Sequence, residues 1–405
     1  MFCLYDLEVS EINVGSFGLS SGRLFQLFRD GQPHTKAELA ELTGLARSTI
    51  SLRLDPLIDL GIISPSSENS STGGRPSAQL VLNESSYVVA GVDFGASHAV
   101  ASLADFSGKI MASIETKRQI SDGPEVCLRW MIAELKHLLV GQGIAEESLL
   151  AIGIGLPGPV EHSTGRPASP PIMMGWDGFD VPARVNQDFK AKVLVDNDVN
   201  VMALGERHAS YPEVDHLIFL KAATGIGSGI ISGGALQRGA QGTAGDIGHV
   251  RVSSGGEVSC HCGNFGCLEA VASAPAIIKK LVAEGLPIRN TSDLIDATKR
   301  AKVEAIQAVR QAGRDIGEVL STCVSLINPA VIVIGGSLAS AGEHLIAGVR
   351  EVVYARSMPL ASENLLIVQS KTGKEGGIIG ANVMAIDYVF DADTIDAMVD
   401  GLSAK

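Results

Sequence analysis

The chain has 405 residues, 45% of them hydrophobic, with 46 glycines and a formal net charge of −13. That length exceeds one ordinary core and predicts two or three domains, and the glycine-rich apolar balance fits packed α/β units rather than disorder. The acidic charge excludes a protein that coats nucleic acid over its whole surface, but a small DNA-reading module is still compatible with it, because charge can be partitioned along a chain.

The start, "MFCLYDLEVSEINVGS", carries Asp6, Glu8 and Glu11 and has no basic stretch followed by an apolar core. It does not read as a signal peptide, and residues 1–19 are read as a flexible acidic arm. No apolar run reaches the length of a membrane span; "LLAIGIGL" and "VIVIGG" are strand-sized. Of six cysteines, three cluster at Cys260, Cys262 and Cys267, while Cys3, Cys127 and Cys323 stand alone. That is no disulfide framework, and a cytoplasmic protein is expected.

Residues 20–83 predict a winged helix-turn-helix. "SSGRLFQLFRDG" places Leu24, Phe25, Leu27 and Phe28 on a helical stripe that stops at Gly31. Thr35 then caps a helix carrying Leu39, Ala40 and Leu42; Gly44 permits a tight turn, and a second helix runs from about Arg47 towards Leu60. A helix-turn-helix needs a small residue at the crossing, a glycine in the turn and branched apolar residues in the second helix, and Ala40, Gly44, Leu45 and Ile50 meet those demands. Arg47, Ser48, Thr49 and Arg53 are expected on the exposed face of that helix, suited to phosphates and base edges in a major groove. "IISPSSENSSTGGRPSAQLVL" reads as two strands of a wing with Arg75 at the tip, facing a phosphate backbone or minor groove. Six cations and six acids between residues 21 and 80 make this segment neutral within an acidic chain. A plain three-helix interaction module with a hairpin is the bland alternative.

From about Tyr87 the pattern becomes strand, glycine loop, strand. Asp93-Phe94-Gly95-Ala96-Ser97 is the first loop, and Ala223-Thr224-Gly225-Ile226-Gly227 repeats the design. Glycines and small hydroxyls let backbone N–H groups approach phosphate oxygens. Two such hairpins, far apart, predict the duplicated lobes of an actin-like ATPase fold, assigned to residues 84–200 and 201–405, with the chain end packing back on the first lobe. "INPAVIVIGGSLA" supplies a third piece, a buried strand Val331–Ile334 ending at Gly335-Gly336. It reads either as backbone lying against a nucleotide or as a glycine turn into a helix.

"VLVDNDVNVMALGERHA" is a strand entering a helix, with Asn197 and Asp198 at the junction. Asp198 either caps the helix or acts as a general base taking a proton from a sugar hydroxyl as it attacks a phosphoryl group. Asn197 then holds a neighbouring hydroxyl. Further on, "HVRVSSGGEVSCHCGNFGCLEA" gathers His249, Cys260, Cys262 and Cys267 into a closed set of soft donors, which predicts a structural zinc site with no open position. His261 is expected to be exposed rather than a ligand. Such a staple would bring Asp246 and Glu269 near Asn197 and Asp198 and form a pocket for a polyhydroxylated ring. The Pro-rich loop of residues 164–179 flanks that pocket, with Trp176 a candidate for its border.

Together "DFGAS", "GIGLPGPV", "DNDVNVMALGE", "ATGIGSGI", "GDIGH", "CHCGNFGCLE" and "INPAVIVIGGSLA" resemble the ROK family of repressors and sugar kinases, from Ser20 to about Asp387. The reader followed by "GGRPS" resembles its regulator branch. The resemblance implies sugar contacts at Gly158, Asn197, Asp198, Asp246, His249 and Glu269, with Asp198 at the catalytic-base position. It implies zinc on His249, Cys260, Cys262 and Cys267, and ATP with Mg2+, where kinase activity survives, at Asp93, Gly95, Ser97, Thr224, Gly225, Gly227, Gly335 and Gly336. Ala96, Ser97, Ala223 and Asp246 depart from the kinase pattern. The function expected is a sugar-responsive repressor, released from operator DNA by a sugar or sugar phosphate, acting as a homodimer or homotetramer. The alternative is an ATP-dependent, glucokinase-like hexose kinase with an appended DNA-binding domain.

Overall fold

A computed structural model describes residues 19–66, 78–169 and 172–403. At the N-terminal end a short helix α1 (Ser21–Phe25) continues into a 3-10 turn, and two helices follow, α2 (Lys36–Thr43) and α3 (Arg47–Asp59). Thr35 and Glu38 close a full capping box at the start of α2, with the Thr35 hydroxyl accepting from the Glu38 N–H and Glu38 accepting from the Thr35 N–H at 2.7 Å. Gly44 ends α2 at φ +69°, a left-handed position that favours glycine. Strands β1 (His34–Thr35), β2 (Ile63–Pro65) and β3 (Gln79–Leu82) form a small antiparallel sheet in the order β1-β3-β2. The predicted helices and the strand pair are present; Arg75, the "GGRPS" tip and residues 1–18 lie outside the described residues.

The body repeats one topology twice. In the first sheet β4 (Val88–Phe94), β5 (Ala99–Asp105) and β6 (Ile110–Thr116) are antiparallel, and β7 (Leu149–Leu156) runs parallel to β4. A two-residue hairpin, β8 (Val160–Glu161) with β9 (Arg166–Pro167), precedes β10 (Lys192–Asn197), which runs parallel to β7. In the second sheet β11 (Leu217–Ala222), β12 (Ile226–Ser232) and β13 (Ala235–Leu236) are antiparallel, while β14 (Val331–Gly335) and β15 (Leu366–Gln369) add in parallel. The orders β10-β7-β4-β5-β6 and β15-β14-β11-β12-β13 are the same arrangement, which matches the duplication read from the two glycine loops. The central strands β4, β7, β11 and β14 are buried on both faces, as their near-continuous Val, Ile, Leu and Ala runs require.

Helices α4 (Pro124–Gln142) and α5 (Val181–Val185) cover the first sheet. The second lobe carries α7 (Leu268–Ala272), α8 (Ala274–Ala283), α9 (Thr291–Lys299), α10 (Val303–Ile327), α11 (Glu343–Arg356) and α12 (Pro359–Ser362). Two helices meet between the lobes: α6 (Asp198–Ser210) and α13 (Gly376–Val389). Their crossing depends on Gly380, where any Cβ would collide with the Val201 carbonyl. The last helix, α14 (Ala392–Ser403), returns to pack on α1, and α13 lies on β4 and β7. The chain end therefore touches both the first lobe and the N-terminal helices. Phe390 stacks edge-on against Phe25 at 5.2 Å and Phe106 at 5.0 Å, so the three regions share one apolar cluster. Among the described residues no helix is long and apolar enough to cross a membrane.

Candidate functional site

A cleft of about 1730 Å³ separates the two sheets, and residues from both halves line it. Every residue assigned above to sugar or nucleotide contact reaches it. Gly158, Asn197, Asp198, Asp246, His249 and Glu269 all border it, and Asp93, Gly95, Ser97, Thr224, Gly225, Gly227, Gly335 and Gly336 border it through the three glycine segments.

The junction of β10 and α6 is built residue by residue. Asn197, not Asp198, is the helix cap: its Oδ1 accepts the Val199 N–H at 3.0 Å, and its Nδ2 donates to the Gly158 carbonyl at 2.8 Å. The capping alternative for Asp198 is thereby corrected. Asp198 begins the helix, almost wholly buried, with its carboxylate turned into the cleft. Beneath the pair, Asp196 accepts from Arg238 Nε at 2.6 Å, from Asn200 Nδ2 at 2.8 Å and from the Asn197 N–H at 2.8 Å. These bonds fix the turn that carries both cleft residues.

Asp198 has a partner that sequence reasoning missed. Lys221 of β11 donates a short hydrogen bond to Asp198 Oδ2. Burial pushes the Asp198 carboxyl up against the pull of Lys221; burial also works against the charged ammonium, but Asp198 and Asp93 outweigh it and raise Lys221. The signal was legible, since Lys221 is the one charged residue in "LIFLKA", a buried strand. His98 was also missed. Its ring lies on the backbone of Gly95, its Nε2 sits 3.6 Å from Asp93 Oδ2, and hydrogen bonding to Asp93 raises its proton affinity despite burial.

The cysteine cluster forms a compact four-donor set. The ligand atoms of His249, Cys260, Cys262 and Cys267 all lie within 4.8 Å of one another. Cys262 Sγ and Cys267 Sγ are 3.7 Å apart, and His249 Nδ1 is 3.5 Å from Cys260 Sγ. A tetrahedral zinc ion with thiolates at about 2.3 Å and imidazole at about 2.0 Å requires edges of roughly 3.7 and 3.5 Å, so the residues fit that ion. Burial pushes the Cys267 thiol up to about 12, whereas the Asn264 N–H draws Cys262 down to about 7, which makes Cys262 the first thiolate available. His249 turns its other nitrogen, Nε2, towards Asp246 Oδ1 at 4.0 Å. Burial, with Glu269 nearby, pushes the Asp246 carboxyl up although His249 opposes it.

Glu269, in the first turn of α7, accepts the Ile226 N–H at 2.9 Å and faces His261 Nε2 at 2.9 Å. It thus ties the cysteine segment to the second glycine loop. His261 is exposed, as expected. Trp176 does not border the cleft: it is fully buried, donates to the Ile120 carbonyl at 3.0 Å and packs in the first-lobe core beside Phe94 and Phe179. Ile172 of the same loop reaches the cleft instead.

At the N-terminal helices, Arg47 and Ser48 are exposed at the start of α3, while Thr49 and Arg53 are half-buried. The expectation of a fully exposed face is therefore met at its first two positions only. Leu52, on the same helix, is 68% exposed.

Comparison with known proteins places these features together. The signature of the ROK family matches residues 89–388. The chain is 30% identical to the xylose repressor of Caldicellulosiruptor bescii over 371 residues, covering 88% of this chain and 92% of that protein. It is 26% identical to the DNA-binding transcriptional dual regulator NagC of Escherichia coli, with 89% and 90% covered. Among solved structures, a ROK family transcriptional regulator homologous to the E. coli MLC protein shares the fold with a TM-score of 0.81 at 23% identity, covering 94% of this chain and 98% of that one. The ROK hexokinase from Thermus thermophilus superposes with a TM-score of 0.65 at 27% identity, over 75% of this chain and 99% of its own. A signature spanning most of the chain, over a duplicated fold whose cleft holds these residues, has one reading: the protein belongs to the ROK family.

Proposed function

We propose that the protein is a sugar-responsive transcriptional repressor, in which a sugar or sugar phosphate bound in the cleft releases the N-terminal reader from operator DNA. The observation that carries this reading is the continuity of α13. Its first turn touches the cleft, where Gly377 lies against the Asp93 carboxylate, and at its other end Asp387 meets Arg29 and Phe390 meets Phe25 of α1. Fourteen residues of helix span about 20 Å, so one rigid element connects ligand to reader. The relatives named as repressors, and the regulator fold that covers more of this chain than the hexokinase does, support the same conclusion.

In this reading residues 20–83 are a winged helix-turn-helix, 84–200 and 201–405 are the lobes, and α3 enters the major groove with Arg47, Ser48, Thr49 and Arg53, while Arg75 meets the backbone. Asn197, Asp198, Asp246, His249 and Glu269 bind ring hydroxyls above Gly158. Zinc on His249 and the three cysteines holds the pocket, and the working unit in the cytoplasm is a homodimer or homotetramer that places two readers on a palindrome. The ligand must favour the DNA-free state, since equal affinity for both states shifts nothing.

The test is selection of bound duplexes from a randomised pool by the full chain, repeated with Arg47→Ala and Arg53→Ala. Enrichment of a palindrome, lost in the double variant, supports the reading; no enrichment, or enrichment unaffected by the substitutions, contradicts it. A second reading, an ATP-dependent hexose kinase, is favoured by Asp198 standing in a cleft bordered by three glycine segments. ATP consumption on a neutral sugar, lost in Asp198→Ala, would establish it.

A further inference from the structure

Lys221 is the least expected charge in the molecule. It is the penultimate residue of β11, paired in register with Gly227 on one neighbouring strand and Gly335 on the other. Both glycines belong to segments that border the cleft, and neither offers a side chain to cover the lysine. The ammonium enters the cleft and ends on Asp198, with Asp93 contributing further attraction.

A buried carboxylate must take a proton or gain a cation. In phosphoryl-transfer sites of this general kind, magnesium carried by the nucleotide supplies positive charge to the reacting region. Here the chain brings its own: Lys221 stands on Asp198, and His98 stands beside Asp93 with its ring over Gly95. Two acids are matched by an ammonium and an imidazole, all fixed by the fold.

We propose that Lys221 is a specificity-determining residue, a built-in counter-ion that makes this cleft a receptor for an uncharged sugar bound without nucleotide or divalent cation. The proposal rests on the reading of the cleft as a sugar site. An ammonium has three donors, and one is given to Asp198. The remaining donors beside a carboxylate acceptor suit two neighbouring hydroxyls, one accepting and one donating. A phosphoryl group held at this end of the cleft would add negative charge next to Asp93 and Asp198, where Lys221 already ends on a carboxylate. The same pairing gives Asp198 Oδ2 a fixed donor, so the carboxylate can accept from sugar hydroxyls without a metal to balance it.

The test is titration calorimetry on the full-length, zinc-loaded protein with glucose, xylose, N-acetylglucosamine and their phosphates, each with and without magnesium and a non-hydrolysable ATP analogue. Wild type is expected to bind one neutral sugar equally well in both conditions and its phosphate more weakly. Lys221→Met is expected to lose about tenfold or more in affinity without magnesium, the loss typical of a charged hydrogen-bond donor. Added magnesium should restore part of it, which a merely structural defect would not show. Lys221→Arg, which keeps the charge, should retain binding and serves if the methionine variant does not fold. A requirement for nucleotide or magnesium in wild type, tighter binding of the phosphate, or unchanged affinity in Lys221→Met would overturn the proposal while leaving the sugar reading intact. Failure of every monosaccharide to bind under any condition would overturn the sugar reading itself, and the proposal with it.

Discussion

Arg29, just after the first helix, and Asp387, near the end of α13, form an ion pair at 2.8 Å that joins the N-terminal helices to the body. Beside it Gln26 donates to the Phe390 carbonyl at 2.8 Å, and the Gly22 N–H donates to Asp396 at 2.7 Å. The N-terminal helices are thus bonded to α13 and α14, not merely tethered by the chain.

The energy of this seam lies in its ring contacts more than in its charges. Asp387 is partly exposed, but the Arg29 guanidinium also lies 5.7 Å over the Phe390 ring, so Arg29→Ala should cost about 1–2 kcal/mol. Phe390→Ala removes a fully buried ring touching Phe25 and Phe106 and should cost about 3–5 kcal/mol. Thermal melts compare the two; equal losses would mean that the aromatic cluster does not hold the seam.

The crossing of α6 and α13 should be intolerant of side chains. Gly380→Ala places a methyl against the Val201 carbonyl and should destabilise by about 1–3 kcal/mol or more, with loss of sugar binding because α6 begins at Asp198. Gly401→Ala, in an exposed turn of α14 with open space at its Cβ, should be neutral or stabilise by up to about 1 kcal/mol. Chemical denaturation of both variants checks the contrast.

Zinc should be bound stoichiometrically, and its removal should weaken sugar binding. His249 turns Nδ1 to the cysteine cluster and Nε2 towards Asp246, so a metal on Nδ1 would fix a ring that borders the pocket, and chelation would free it. Elemental analysis before and after chelation, paired with calorimetry, reads both effects. Cys262→Ser should lose the metal, whereas Cys127→Ser, at a buried cysteine of the first-lobe core, should keep it.

The N-terminal helices should weaken in acid through the cap of α2. The Thr35 N–H and hydroxyl hold the Glu38 carboxyl below its ordinary value. A lowered carboxyl contributes stability that is present above the unfolded value of about 4.3 and is lost as pH falls through the lower folded value. Glu38→Gln should flatten that part of the profile, and Thr35→Ala should cost about 1 kcal/mol at neutral pH. Melting temperature against pH in both variants measures this.

Most of the site was legible because its residues are local in sequence. "CHCGNFGC" and "GDIGH" carry their chemistry in short spacings, and the two glycine loops announced the repeat that the sheets confirm. What escaped notice depends on pairing across distance. Lys221 meets Asp198, and Arg238 reaches Asp196, only because β10 and β11 belong to different sheets facing one cleft. Trp176 was misplaced for the opposite reason: a large ring in a Pro-rich loop beside the cleft found a hydrogen bond to Ile120 inside the first lobe.

The most direct measurement of the central claim is fluorescence anisotropy of the selected palindrome bound to the full chain, titrated with the sugar found by calorimetry. The expected result is release of the duplex at sugar concentrations that fill the cleft, abolished by Asp198→Ala. Binding of the duplex that stays unchanged while the sugar saturates its site would contradict the account, because the cleft and the reader would then not communicate.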